Sequence, residues 1–286
     1  PTSWVLRYKA KLWNGRLLGT DLVCGSRQRG NLLHRLFELV FASDPPIDWW
    51  NASRLQMDLW LEKEWHNLLP MEGANMRLPG YKVIAEGLLD EGKRAIWVLI
   101  EHLRVAGVTK TSANVQTLEI PFVGGNIFGF LDLLVENASG QKAVIDLKYG
   151  GFKQKSQELS DNLHLQLAVY ARLVDQGSPW PEAAFLILGK RALLAQQRNF
   201  FPDADIVSSK LSPSGLQACW NEFQELWKWR RDLLDQGWIE CAVSGSDGAT
   251  SDLLPNSTSP IHRWQLENYA DPYDDLGVLT GWEENA

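Results

Sequence analysis

Cysteine is scarce in this sequence, and what there is stands apart. Cys24, Cys219 and Cys241 are the three in 286 residues, and no C-x-x-C pair occurs. That spacing argues against a zinc site, an iron–sulfur cluster or a disulfide framework. A reducing cytoplasm is therefore the expected setting. Long apolar runs are missing too, since nothing approaches the ~18 consecutive apolar residues of a membrane span. No signal peptide is evident, because Arg7, Lys9 and Lys11 interrupt the amino-terminal aromatic-apolar pattern. There is no internal repeat and no G-x-x-x-x-G-K-[ST] phosphate loop, so a nucleotide-driven motor of that kind would have to lie elsewhere. The first residue is Pro1 rather than methionine, and the chain is expected to be a piece of something longer.

What is present reads as an ordinary globular chain. Hydrophobic residues make up 45% and charged residues 22%, enough apolar surface for a sizeable core in one large domain or two small ones. The fourteen tryptophans are read mainly as packing, although an exposed one could stack on a base. Sequons at Asn51, Asn137 and Asn256 carry little meaning without secretion. Net charge is −7, which does not look like a nucleic-acid binder. Its distribution is less discouraging. Residues 1–35 hold seven Lys/Arg against Asp21, a net of +6, and residues 271–286 hold five acids with no Lys/Arg, a net of −5. A local basic face can bind phosphates while an acidic tail dominates the total.

Periodicity predicts helices over residues 4–12, 30–41, 53–69 and 83–105. Pro45 and Pro46 end the second of these. Strands are predicted over 115–122, 127–135 and 143–149, then a helix over 160–174, a strand over 183–188, and a long helix over 215–236 stopped by Gly237. Residues 242–260 are polar and turn-rich and read as a mobile loop. The order implies an α/β (α+β) core with a mixed central sheet, to which an amino-terminal helical layer is added. The expected organisation is a single domain over 1–286, with the helical layer over 1–110, the core over 111–240, and the loop and acidic tail over 241–286.

The two middle strands carry the chemistry. Between them lies a polar break, and a three-residue loop of Ala138, Ser139 and Gly140 would place Gly140 at the φ > 0 position. Asn137 then faces Gln141, and counting back puts Asp132 opposite Asp146, with Cβ atoms ~5 Å apart on one sheet face. Lys148, two residues on, shares the face of Asp146. Both aspartates interrupt apolar strands, where an unpaired charge is costly. Two carboxylates this close repel unless a cation lies between them or one takes up a proton.

An Asp on one strand followed by D-x-K on the next resembles the PD-(D/E)XK nuclease superfamily. Gly30-Asn-Leu-Leu-His34-Arg-Leu-Phe-Glu38 resembles the G-x-x-x-H-x-x-x-E helix of its RecB-like branch, and Gln166-Leu-Ala-Val-Tyr170 resembles that branch's Q-x-x-x-Y helix. The segment beginning at Glu119 is similar to the branch's first strand. The remainder is less sharply similar to the carboxy-terminal nuclease regions of RecB- and AddB-type recombination proteins. AddB-type proteins often carry a four-cysteine iron–sulfur staple, a pattern from which this chain departs, so no cluster is expected.

The resemblance implies a restriction-endonuclease-like core and a role for each residue. Asp132, Asp146 and the main-chain carbonyl of Leu147 would hold Mg²⁺ or Mn²⁺, with His34 a further ligand. Lys148 would orient or help deprotonate the attacking water. Gln166 and Tyr170, four apart on one helical face, would touch the DNA backbone or brace the ligands, and Tyr170 could equally be core. Glu119 and Glu38 are weaker candidates. His66, His102, His164 and His262 are read as structural. Lys153 and Lys155 suit phosphate contact or a solvated loop.

The implied function is a metal-dependent DNA nuclease, an exonuclease by expectation. It would act on single-stranded or duplex ends fed by a helicase in the same polypeptide or a partner, in recombination and repair, with no membrane involved. Two rivals stay open. One is a catalytically silent DNA-end-binding module that keeps the fold, and the other a stand-alone nuclease of the CRISPR-adaptation or restriction type.

Overall fold

The computed structural model describes residues 25–174, 177 and 179–238. The expected helix over 4–12, the loop over 242–260, the acidic tail, His262, Cys24 and Cys241 lie outside them. Residues Asp21–Trp220 form one compact unit, and residues from 221 onward are assigned to another, of which 221–238 are described.

Three helices come first. Helix α1, Ser26–Val40, presents Leu32, Leu33, Leu36, Phe37 and Val40 as its buried stripe. Helix α2, Arg54–Glu72, starts at a capping box in which the Ser53 side chain accepts from the Gln56 N–H and Gln56 reaches back to the Ser53 main chain. Helix α3, Lys82–Val105, packs on both. Gly92 of α3 lets α1 come close, because a Cβ there would stand 2.8 Å from the buried Leu33 side chain.

The sheet that follows has six strands in the order β1-β4-β5-β6-β7-β8. Its members are β1 Val108–Gln116, β4 Phe130–Asn137, β5 Lys142–Lys148, β6 Glu182–Ile187, β7 Ala192–Ala195 and β8 Asp205–Ile206. Strands β5 and β6 run parallel, as do β7 and β8, and the other neighbours are antiparallel. The mixed sheet is as expected. Parallel pairing of β5 with β6 requires a crossover, supplied by helices α4, Phe152–Ser160, and α5, Leu165–Val174. A separate ribbon of β2, Ile120–Phe122, and β3, Gly125–Ile127, stands between β1 and β4. Helix α6, Leu216–Asp235, closes the described chain, and Gly237 with φ +86° follows it.

Alternation along β5 divides the core in two. Ala143, Ile145 and Leu147 face the cluster built with α1, α2 and α3, whereas Val144 faces a second cluster with Leu159, Leu167 and Phe185. Asp146 falls in the Val144 row. No helix among the described residues is long and apolar enough to cross a membrane.

Some expected elements differ. The strand foreseen over 115–122 is the end of β1, a three-residue break and β2, because the edge strand VTKTSANVQ is too polar to show as an apolar run. The helix foreseen over 160–174 starts at Leu165. Helix α4 and strands β7 and β8 were not foreseen: α4 buries only Leu159, and the strands have four and two residues.

Candidate active site

The β4–β5 hairpin has the three-residue loop that its sequence predicts. Asn137 N–H donates to Gln141 O at 3.0 Å, and Gly140 takes φ +80°, a conformation glycine reaches without strain. The Asn137 side chain braces the turn by accepting from the N–H groups of Ser139 and Gln141 at 3.1 and 3.0 Å. Pairing then runs from Glu136↔Lys142 to Leu133↔Ile145. Continued by one residue, this register sets Asp132 against Asp146.

The ladder stops one residue short of that pair. There Asp132 turns its carboxylate across the gap, and its Oδ2 accepts from the Leu147 N–H at 2.8 Å. Strand β4 stays paired with β1 as far as Gln116↔Phe130, so β4 and β5 fork at the aspartates. In an extended strand the N–H and C=O of one residue lie on the same edge, which turns the Leu147 carbonyl toward Asp132 as well.

Asp146 is 0% exposed. Lys148 Nζ forms an ion pair with its Oδ2 at 2.7 Å, whereas the buried Oδ1 has no hydrogen-bond partner. Burial pushes the Asp146 carboxyl up to about 6; the Lys148 charge pulls it down and the Asp132 charge adds to the rise. A buried carboxylate with idle lone pairs is costly. Two carboxylates and a carbonyl are the hard oxygen donors that Mg²⁺ or Mn²⁺ prefers. The residues present fit such an ion.

The other candidates divide. From α1, His34 Nδ1 comes within 3.7 Å of Asp132 Oδ1. No three His, Cys, Asp or Glu side chains form a ready metal cage among the described residues. Gln166 Nε2 donates to the Tyr170 hydroxyl at 3.0 Å. Burial raises the Tyr170 pKa, and the charges of Asp146 and Asp132 raise it further. Glu119 is exposed and accepts from Asn126 Nδ2 at 3.1 Å in the β2–β3 ribbon. Glu38 is held by Arg35 on its own helix.

Lys155 is a residue whose placement the sequence left open. It lies on α4 rather than on a loop, its Nζ 2.7 Å from both Glu158 oxygens and 5.1 Å from the centre of the Phe185 ring. Phe185 is the β6 partner of Asp146, and the Lys155 charge lowers the Asp146 pKa. Spacing from the D-x-K strand offered a hint, but only the crossover turns Lys155 inward.

The D-x-K hairpin sits within a six-stranded mixed sheet flanked by helices, the fold class that the sequence resemblance implied. The sequence model of the PD-(D/E)XK nuclease superfamily matches residues 1–241. The chain belongs to the PD-(D/E)XK nuclease superfamily. Membership suggests a nuclease and implies a nucleic-acid substrate. No curated protein is a significant sequence match.

Proposed function

We propose that this PD-(D/E)XK chain is a Mg²⁺- or Mn²⁺-dependent deoxyribonuclease of the RecB-like branch. It hydrolyses phosphodiester bonds at DNA ends, chiefly single-stranded ends delivered by a helicase during recombination and double-strand-break repair, and works as an exonuclease. The observation that carries the reading is the fully buried carboxylate of Asp146, ion-paired through Oδ2 to Lys148 and with its Oδ1 unbonded, beside Asp132 at the hairpin fork. We take the nuclease domain to span 1–286, with the core over 111–240 and the setting cytoplasmic.

In this reading Asp132, Asp146 and the Leu147 carbonyl hold the divalent ion, and His34 completes the set from α1. The chemistry such an ion supplies is Lewis-acid polarisation of the phosphoryl group and activation of water near neutral pH. Lys148 Nζ, tethered to Asp146, orients the attacking water and donates to the phosphate oxygen on which negative charge develops. The water oxygen gives up a proton and forms a bond to phosphorus, the bond from phosphorus to the departing sugar oxygen breaks, and that sugar oxygen takes up a proton in its place. Tyr170 and Gln166 hold the strand's backbone or brace the ligands. Glu119, on the ribbon, is a more distant contact to the strand.

The test is cleavage of end-labelled single- and double-stranded DNA by the full chain in Mg²⁺, Mn²⁺ or EDTA, beside Asp146→Ala and Lys148→Ala. Metal-dependent cleavage lost in both variants is the expected outcome. Cleavage that survives Asp146→Ala would overturn the site. DNA binding by the parent chain without cleavage would support a catalytically silent end-binding module instead.

A further inference from the structure

Two phenylalanines are held out in solvent beside the aspartates. Phe128 is 50% exposed and Phe130 is 52% exposed, in a unit that buries Phe37, Phe41, Phe185, Phe200 and Phe201 almost completely. Packing gives no reason for their placement, and neighbouring exposed apolar side chains mark a binding surface more often than scattered single ones do. Leu118, 85% exposed, lies just across the β1–β4 end, where Thr117 N–H donates to Gly129 O at 2.9 Å.

The position of Phe130 relates it directly to the site. Along β4, Leu131, Leu133 and Val135 are buried while Phe130, Asp132 and Leu134 occupy the alternate positions. Phe130 precedes Asp132 by two residues on β4, ~6.7 Å away along the strand, within the reach of a single unstacked nucleotide.

The backbone beneath the rings is fixed. Gly129 N–H donates to Thr117 Oγ1 at 3.0 Å. A Cβ on Gly129 would stand 3.4 Å from both the Tyr170 ring and the Leu173 side chain. The segment that carries both phenylalanines is thus seated on α5, against Tyr170 and Leu173.

We propose that Phe130, aided by Phe128, is a stacking platform for the unpaired bases of single-stranded nucleic acid as the strand enters the Asp132–Asp146 site. This rests on the nuclease reading above and names its substrate as a single strand with accessible bases. A ring face grips any base through its π-surface without reading sequence. Bases in a duplex are already stacked on one another and offer no free face, so the platform selects single strands.

The test is fluorescence anisotropy of the full chain in EDTA, so that no strand is cut. The probes are a labelled fifteen-residue oligo-dT, the same strand with abasic sites, and a blunt hairpin duplex. Phe130→Ala is expected to weaken oligo-dT binding about tenfold, the loss of one stacked base. It leaves the dependence on salt unchanged, because no phosphate contact is lost. Phe128→Ala weakens it less, and Phe130→Trp keeps parental affinity. The abasic strand binds the parent no better than oligo-dT binds Phe130→Ala, and duplex affinity is the same for all.

Unchanged oligo-dT affinity in Phe130→Ala, with parental melting, overturns the platform. So does a parent that sediments as a dimer and a Phe130→Ala that is monomeric with oligo-dT affinity intact, since the rings then serve an interface. If the parent cleaves DNA with Mg²⁺ while both alanine variants bind normally, the platform fails and the nuclease reading stands. Base-dependent binding by a parent that cuts nothing keeps the platform and removes the nuclease reading.

Discussion

Asp146 and His164 titrate across the same pH range with opposite consequences. Asp146 binds a proton up to about pH 6 when folded, against 3.8 ordinarily. Between those values the folded state holds the extra proton, so stability falls as pH rises, by ~3 kcal/mol in all. His164, buried and with both ring nitrogens lacking a hydrogen-bond partner, is pushed down by burial to about 4 from 6.5. There the unfolded state holds the extra proton, and stability rises with pH over nearly the same window. The metal-free parent should therefore show a shallow profile between pH 4 and 7. Urea unfolding of Asp146→Asn is expected to reveal stability climbing with pH, and that of His164→Gln to reveal it falling; parallel profiles in all three proteins would contradict the assignment. In the proposed nuclease, cleavage should follow the ionisation of Asp146. At low Mg²⁺ the rate should rise through about pH 6, and raising Mg²⁺ should move that limb to lower pH, because the ion competes with the proton.

Among the elements, the hairpin was legible and the crossover was not. A three-residue turn is set by neighbours in sequence, Asn137 and Gly140 above all, and its register fixes every pair up to Leu133↔Ile145. The fork beyond it was not foreseen, because the Asp132 carboxylate replaces a ladder hydrogen bond that counting assumes. Helix α4 was hidden for another reason: FKQKSQELS has no apolar stripe, and beside the buried Leu159 it turns inward a lysine neutralised by Glu158. Gly140→Val is expected to lower stability by ~1–2 kcal/mol through its left-handed φ, read as a drop in melting temperature with metal-dependent cleavage retained at low temperature. Ser53→Ala, which removes the capping box of α2, should cost ~1 kcal/mol and leave cleavage unchanged.

At the scale of the whole molecule, charge and metal dominate the expected behaviour. A net charge of −7 opposes DNA, so binding depends on local cations and weakens steeply with salt. A plot of log affinity against log salt should be linear, and Lys148→Ala should reduce its slope if that ammonium meets a phosphate. Two facing carboxylates also make the folded state a better ligand than the unfolded one. Mg²⁺ or Mn²⁺ at a hundred times its dissociation constant should stabilise the full chain by ~2.7 kcal/mol. Differential scanning should show that upward shift in the parent and not in Asp146→Asn.

Residues close in sequence were enough to specify the turn, the register and hence the meeting of Asp132, Asp146 and Lys148, because hydrogen bonds two to four residues apart set them. The G-x-x-x-H-x-x-x-E and Q-x-x-x-Y patterns around His34, Gln166 and Tyr170 are likewise written in the chain. Which groups reach the aspartates from far away was settled by packing. Burial of Asp146 under Phe185, the approach of His34 from α1, the inward turn of Lys155 and the exposure of Phe130 all depend on where helices lie across the sheet. Desolvation and close approach are properties of the assembled core, and no local pattern encodes them.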